Sequence, residues 1–210
     1  MHNEVLNDDI RNIWEQCSFL SEKGFYLSGG TALALQLGHR ISVDLDFFSD
    51  EPIKKTLLYT IEDNLHTITT VLFKTTNELT VKAKGVKITC LYYPFHLMRD
   101  KQKTAIVPLA SIRDIASMKA HTLGRRQTIK DYVDLYCILS KEIISLNEII
   151  VDAKEKYGDA FNGRLFLEQL LYTDDLDDDV INWLWEPVSK EKMKEFFSNL
   201  IVKERAKIIE

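Results

Sequence analysis

The sequence predicts an α/β fold of the α+β kind: a small mixed sheet with flanking helices, followed by a helical C-terminal half. Three observations predict it. Short runs rich in β-branched residues alternate with helical segments as far as Tyr93. From Ser111 onward every periodic segment carries the helical repeat. Four Pro and eight Gly in 210 residues argue against long linkers. The change of character near Pro108 divides the chain into an α/β core with an N-terminal helix, residues 1–107, and a helical domain, residues 108–210, expected to complete an active-site cleft.

Ile10 to Lys23 sets Ile10, Ile13, Trp14, Cys17 and Leu20 at the period of an amphipathic helix, and Gly24 ends it. Phe25 to Ser28 is a short strand running into Gly29-Gly30. Thr31 to Leu37 is helical in composition and stops at Gly38. A loop, His39 to Ser42, leads to a second strand from Val43 to Phe48, and Pro52 to Leu65 reads as a helix. Thr67 to Tyr93, rich in Thr, Val and Ile with turn signals at Thr76-Asn77 and Lys84-Gly85, predicts two or three antiparallel strands. Helices follow over 111–123, 128–140, 146–157, 161–172 and 189–203.

Composition narrows the function. Hydrophobic residues at 45% and charged residues at 28% fit a soluble globular protein. No apolar run approaches the roughly 20 residues of a membrane span, and the polar start is no signal peptide, so a cytoplasmic location is expected. Cys17, Cys90 and Cys137 are odd in number and far apart, which indicates core thiols rather than disulfides or a zinc site. A net charge of −5 excludes nucleic-acid binding by bulk charge alone. The charge is uneven, however. Arg113, Lys119, Arg125, Arg126 and Lys130 cluster against a single acid, Asp114, whereas Asp174 to Asp179 forms an acidic turn. A polyanion would be met by the middle of the chain.

The stretch LSGGTALALQLGHRISVDLDFF carries the strongest chemical signal. On a strand, Asp44 and Asp46 project to one face while Val43, Leu45 and Phe47 project to the other. Two carboxylates on one face repel, and a Mg²⁺ ion shared with substrate phosphates relieves the repulsion. The competing reading is an exposed edge strand, or acids paired with Arg40. Gly29-Gly30-Thr31, between a strand and a helix, lets backbone N–H groups approach a phosphate, with the Thr31 hydroxyl as a further donor. The competing reading there is a tight turn with Thr31 as helix N-cap. Together a phosphate cradle and a metal pair favour the functional reading.

This arrangement resembles the AbiEii/AbiGii toxin family of the nucleotidyltransferase superfamily, whose first motif is GG followed by Ser or Thr, a spacer and DxD. Gly29, Gly30, Thr31, Asp44 and Asp46 match it, as do the flanking residues that include Ser42. A third family motif matches Asp114, Ser117 and Lys119, and a fourth matches around Lys130, Asp131 and Asp134. The resemblance implies a nucleotidyltransferase-like mixed sheet. It implies Asp44, Asp46, Lys119 and Asp131 as catalytic residues and Asp44 and Asp46 as ligands of Mg²⁺ or Mn²⁺. Gly29, Gly30, Thr31, Ser42, Lys119 and Lys130 are then implied as contacts to a nucleoside triphosphate. It also implies a bacterial toxin with RNA, a tRNA 3′ end in particular, as acceptor, with a protein or a small molecule such as an aminoglycoside as the variant within that class, and a cognate antitoxin as a candidate partner.

Structural readings stand beside these. Ser111-x-x-Asp114 and Thr128-x-x-Asp131 have the form of helix capping boxes, and Lys130 and Asp134 that of a surface i, i+4 pair. Trp183, Trp185, Phe196 and Phe197 read as core or helix-packing residues rather than a base-stacking platform, and His39 as a solvated loop residue rather than one lining the mouth of the site. The expected third carboxylate is missing from the strand Val86 to Leu91. Either Asp131 supplies it, or two carboxylates suffice, or the fold binds nucleotide or RNA without turnover. A phosphohydrolase fits less well, because Phe47-Phe48-Ser49 follows the aspartates where Gly-Thr would be expected.

Overall fold

A computed structural model describes residues 1–123, 125, 126, 128–173, 176 and 179–208, with side chains as far as Glu204. Of the acidic turn expected at Asp174 to Asp179, Asp174, Asp175, Asp177 and Asp178 lie outside the described residues. By its contacts the chain divides into two units, Met1–Ser111 and Ile112–Glu210.

Five strands of the first unit form one mixed sheet: β1 (Tyr26–Ser28), β2 (Asp44–Ser49), β3 (Thr70–Lys74), β4 (Glu78–Ala83) and β5 (Val86–Tyr92), in the order β1-β2-β5-β4-β3. The stretch expected to be antiparallel strands is the meander β3-β4-β5, and β5 then pairs in parallel with β2. The period-two pattern of β2 holds: Leu45, Phe47 and Ser49 are buried, while Asp44, Asp46 and Phe48 are half-buried. Phe47 stacks on Trp14 with ring centroids 6.3 Å apart, which ties the sheet's apolar face to the N-terminal helix. Residues 108–110 are held on the other flank, where Leu27 of β1 exchanges backbone hydrogen bonds with Pro108 and Ala110.

The helices of this unit are α1 (Asp8–Glu15), α2 (Ser18–Glu22), α3 (Gly29–Leu37) and α4 (Leu57–Asn64). Several boundaries differ from the sequence reading. The helix expected over Ile10 to Lys23 is two helices, because Gln16 and Cys17 donate to carbonyls three residues back and tighten the turn between them. Asn7 starts α1 early by accepting from the Ile10 N–H. The helix expected from Pro52 begins at Leu57, and the Ile53 N–H ahead of it donates to the Thr76 carbonyl beyond β3.

The second unit is helical in its described elements, as expected: α5 (Ile112–Thr122), α6 (Ile129–Ser140), α7 (Leu146–Tyr157), α8 (Gly163–Leu171) and α9 (Lys190–Ile208). Ile115, Val133, Ile138, Ile149, Leu170 and Phe197 are among its buried residues. Phe196 and Phe197 meet Tyr136 edge-on, in a helix-packing role. Ser145 and Glu148 form a capping box at α7 that the sequence reading missed. The one expected at Thr128 does not form: Thr128 caps nothing with its side chain, and the Asp131 carboxylate is drawn to cations instead.

Candidate active site

In the first unit the two aspartates sit where three chain segments converge. β2 lies between β1 and β5, so the edge-strand reading of Asp44 and Asp46 is excluded. Ser28 of β1 pairs with Asp46, and on β5 Lys87 pairs with Asp44 and Thr89 with Asp46. Because facing positions share a side of the sheet, Lys87 and Thr89 flank the carboxylates. Lys87 Nζ lies 3.9 Å from Asp44 Oδ2, with the two side chains 48% and 39% exposed. β5 therefore contributes a lysine and a threonine where a third acid was sought. Thr89 Oγ1 lies 3.5 Å from that of Thr80, which donates to the Glu78 carboxylate at 2.7 Å.

The glycine turn is built against the same carboxylates. α3 begins at Gly29 rather than Thr31, with Ser28 as an N-cap that makes no side-chain capping bond. Gly29 has φ +69°, and a Cβ there would stand 3.3 Å from Asp46 Oδ2. The chain thus needs glycine twice over at this position, for its backbone and for its closeness to Asp46. Thr31 and Ser42 are buried. The Thr31 hydroxyl donates to the Asp44 carbonyl and lies 2.7 Å from the Ser42 hydroxyl. These two residues clasp the start of β2 to α3 and so fix Asp44. His39, expected to be solvated, is fully buried in the loop that leads there.

The second unit holds the remaining motif residues in a network of ion pairs. Lys119, 4% exposed, lies 2.8 Å from Asp131 Oδ1 and 2.6 Å from Asp134 Oδ2. Arg126 grips Asp131 through two bonds, Nε to Oδ2 at 2.7 Å and Nη2 to Oδ1 at 2.8 Å. Burial pushes the Asp131 carboxyl up, but the Lys119 and Arg126 cations outweigh it and hold the group below its ordinary value. Asp114 is bound at 2.6 Å to Lys156, and both side chains are fully buried; burial draws the Lys156 ammonium below its ordinary value despite that partner. Ser117 donates to the Asp114 carbonyl at 2.8 Å. Lys130 pairs with Asp179 at 2.6 Å rather than with Asp134.

This network alters the reading of the basic stretch. Arg113 takes Asp152 in a two-bond grip and Glu148 at 3.1 Å, and Lys119, Arg126 and Lys130 have the carboxylate partners just described. Arg125 donates to the Ala160 carbonyl. What reads in sequence as a polyanion surface is largely neutralised within its own unit.

Among the described residues no cluster of three or more His, Cys, Asp or Glu is placed to hold a metal. Asp44 and Asp46 alone suit a cation that completes its shell with water and substrate oxygens. No helix among the described residues is long and apolar enough to cross a membrane.

Comparison with known proteins adds an independent finding. The family model for the nucleotidyl transferase AbiEii toxin of type IV toxin–antitoxin systems matches residues 17–93 and 89–207. The uncharacterized protein aq_aa25 of Aquifex aeolicus is 31% identical over 185 residues, covering 83% of this chain and 89% of that protein. Among solved structures, MenT4, a nucleotidyltransferase toxin of Mycobacterium tuberculosis, shares the fold with a TM-score of 0.59 at 16% identity, covering 92% of this chain and 85% of that one. JHP933 from Helicobacter pylori does so with a TM-score of 0.56 at 17% identity, covering 99% and 91%.

Proposed function

Because the chain belongs to the AbiEii family of nucleotidyl transferase toxins, we propose that it transfers a nucleoside monophosphate from a nucleoside triphosphate to an acceptor hydroxyl. In this reading the acceptor is an RNA end, of the tRNA 3′ type. The protein is the toxin of a toxin–antitoxin pair, held in check by a cognate antitoxin. The acceptor oxygen bonds to the α-phosphorus as its proton passes to solvent water, the bond from that phosphorus to the bridging oxygen breaks, and pyrophosphate leaves.

One observation carries the reading: two carboxylates share one face of an internal strand, directly against a helix that opens on Gly29-Gly30. Backbone N–H groups at the start of α3 suit a triphosphate, because a helix N-terminus favours negative charge. Asp44 and Asp46 would hold Mg²⁺ or Mn²⁺, which when bound offsets charge on the transferring phosphate and the acceptor oxygen. Thr31 and Ser42 act on the chemistry by fixing Asp44. The motif also assigns Lys119, Lys130 and Asp131 to the reaction. Held ionised by two cations, Asp131 is a poor proton acceptor, and its pairing supports a role in fixing Lys119.

The test is incubation with each labelled nucleoside triphosphate, Mg²⁺ and total RNA, following label on RNA and release of pyrophosphate. Asp44→Asn and Asp46→Asn should abolish transfer while the melting temperature is kept, since a neutral amide cannot offset the ion's charge. Wild-type rates in both variants at saturating Mg²⁺ would show that the site is misassigned. Release of inorganic phosphate in place of pyrophosphate would mean hydrolysis, and the absence of metal-dependent incorporation would leave a binding module.

A further inference from the structure

The sheet register places a feature beside the aspartates that sequence order hides. Asp44 on β2, Lys87 on β5 and Lys82 on β4 face one another in a single row, Lys87 being the register partner of both. All three therefore project from the same side of the sheet. Like charges directly opposite each other are destabilising, yet Lys87 and Lys82 are both exposed at such a pair. Asp44 offsets Lys87 in part, at 3.9 Å. Lys82 has no ion-pair partner among the described residues.

The row also has a side. Gly29 and the start of α3 meet Asp46 from the β1 flank, whereas the lysines lie on the β5 and β4 flank. With the triphosphate on the glycine flank, the lysines face whatever approaches the aspartates from the opposite one. Four of the five cations between Arg113 and Lys130 are engaged with carboxylates, so they are poorly placed to serve a polyanion.

We propose that Lys82 and Lys87 form a phosphate clamp for the acceptor, taking the backbone of a single-stranded RNA end and presenting its hydroxyl beside Asp44 and Asp46. The assignment rests on the nucleotidyl-transfer reading. It replaces the basic stretch of the second unit as the RNA-guiding surface. The two ammonium groups act as point charges on phosphate oxygens, so the clamp reads backbone rather than base. An anion bound between them also relieves the repulsion between Lys82 and Lys87.

The test is fluorescence anisotropy of a 5′-labelled single-stranded RNA oligonucleotide across a salt series. It compares wild type, Lys82→Gln, Lys87→Gln, the double variant, and Arg125→Gln as a control. Each lost phosphate contact should lower the slope of log affinity against log salt by about 0.7, and the double variant should lose about twice that. Lys82→Arg keeps the charge and should keep the slope, which separates a clamp from a fold effect. Calorimetry with a non-hydrolysable triphosphate and Mg²⁺ should give Lys82→Gln wild-type nucleotide affinity, because Lys82 lies away from the glycine flank. An unchanged slope in the double variant overturns the clamp, as does a slope flattened by Arg125→Gln instead. Wild-type protein that shows no salt-dependent RNA binding overturns it too, and label on an acidic protein would then identify the acceptor. If the lysines bind RNA as stated but wild type releases no pyrophosphate, the transfer reading fails, and Lys82 and Lys87 remain an RNA-backbone site without an acceptor role.

Discussion

Gly29→Ala separates the two demands that the structure makes at the glycine turn. The first is conformational: φ is +69°, and an L-residue held in the left-handed region costs about 1–2 kcal/mol. The second is steric, because the added methyl would meet Asp46 Oδ2 at 3.3 Å and Asp46 Cβ at 3.8 Å. That contact is tight enough that the carboxylate must withdraw by a few tenths of an ångström. Gly24 supplies the control, since its φ is +83° and an added Cβ would meet nothing within 4 Å. Gly24→Ala therefore carries the conformational cost alone. In urea denaturation both variants should lose about 1–2 kcal/mol. Only Gly29→Ala should then weaken Mn²⁺ binding, followed by electron paramagnetic resonance, and slow nucleotide transfer. A misplacement of 1 Å can cost about 100-fold in rate, so a few tenths should cost roughly threefold to tenfold. If Gly29→Ala binds Mn²⁺ and turns over as Gly24→Ala does, the close approach to Asp46 has no part in the chemistry. Equal loss of activity in both variants would mean a global effect and refute the reasoning in the other direction.

Thr31→Val keeps the shape of the clasp and removes its hydroxyl, leaving the Asp44 carbonyl without that donor. Stability should fall by about 1–3 kcal/mol, with weaker Mn²⁺ binding; a variant unchanged in both would dissolve the clasp. Lys156→Met leaves the Asp114 carboxylate buried beside an apolar chain and should cost about 3–5 kcal/mol in chemical denaturation. Adding Asp114→Leu should recover most of that, and if transfer returns with it, Asp114 is structural despite its place in the family motif. Asp131→Asn should be destabilising at neutral pH. The folded-state pKa of Asp131 lies below its ordinary value, so its contribution is fully present above about pH 4 and is lost as pH falls through the folded value. The stability gap between wild type and Asp131→Asn should therefore narrow below about pH 4, and a gap that widens with acid would reverse the sign assigned to the Lys119 and Arg126 contacts.

The site's first unit was legible because its signals are local. Alternation along Asp44 to Ser49 and the glycine pair before a helical run are read within a few residues, and local chain geometry places both. The fold class followed from the same short-range periods. Features that depend on distant pairing were not legible. The placing of Lys87, and through the β4–β5 hairpin Lys82, beside Asp44 comes from the parallel register of β2 and β5, which no local pattern encodes. The basic run from Arg113 to Lys130 looks free in sequence because Asp152, Glu148 and Asp179 lie far along the chain. Capping was misread for a related reason. Asp131 has the spacing of a capping residue, but a buried lysine and an arginine offer its carboxylate stronger partners than a backbone N–H. The break between α1 and α2 leaves the apolar period intact, so periodicity alone could not reveal it.

The bracketing of β2 by β1 and β5 also sets when, during synthesis, the site comes into being. Chains are made from the N-terminus, and domains fold as units once enough of them has emerged. A ribosome-bound chain ending at Ala83 would already carry Gly29, Gly30, Asp44 and Asp46, yet it would lack the strand that holds the carboxylates in register. Joining β2 to β5 means closing the long excursion through α4, β3 and β4, and such non-local pairing forms slowly. Nascent chains and early truncations thus hold every motif of the first unit without its geometry. Translation must run past Tyr92 before the sheet can close around the aspartates.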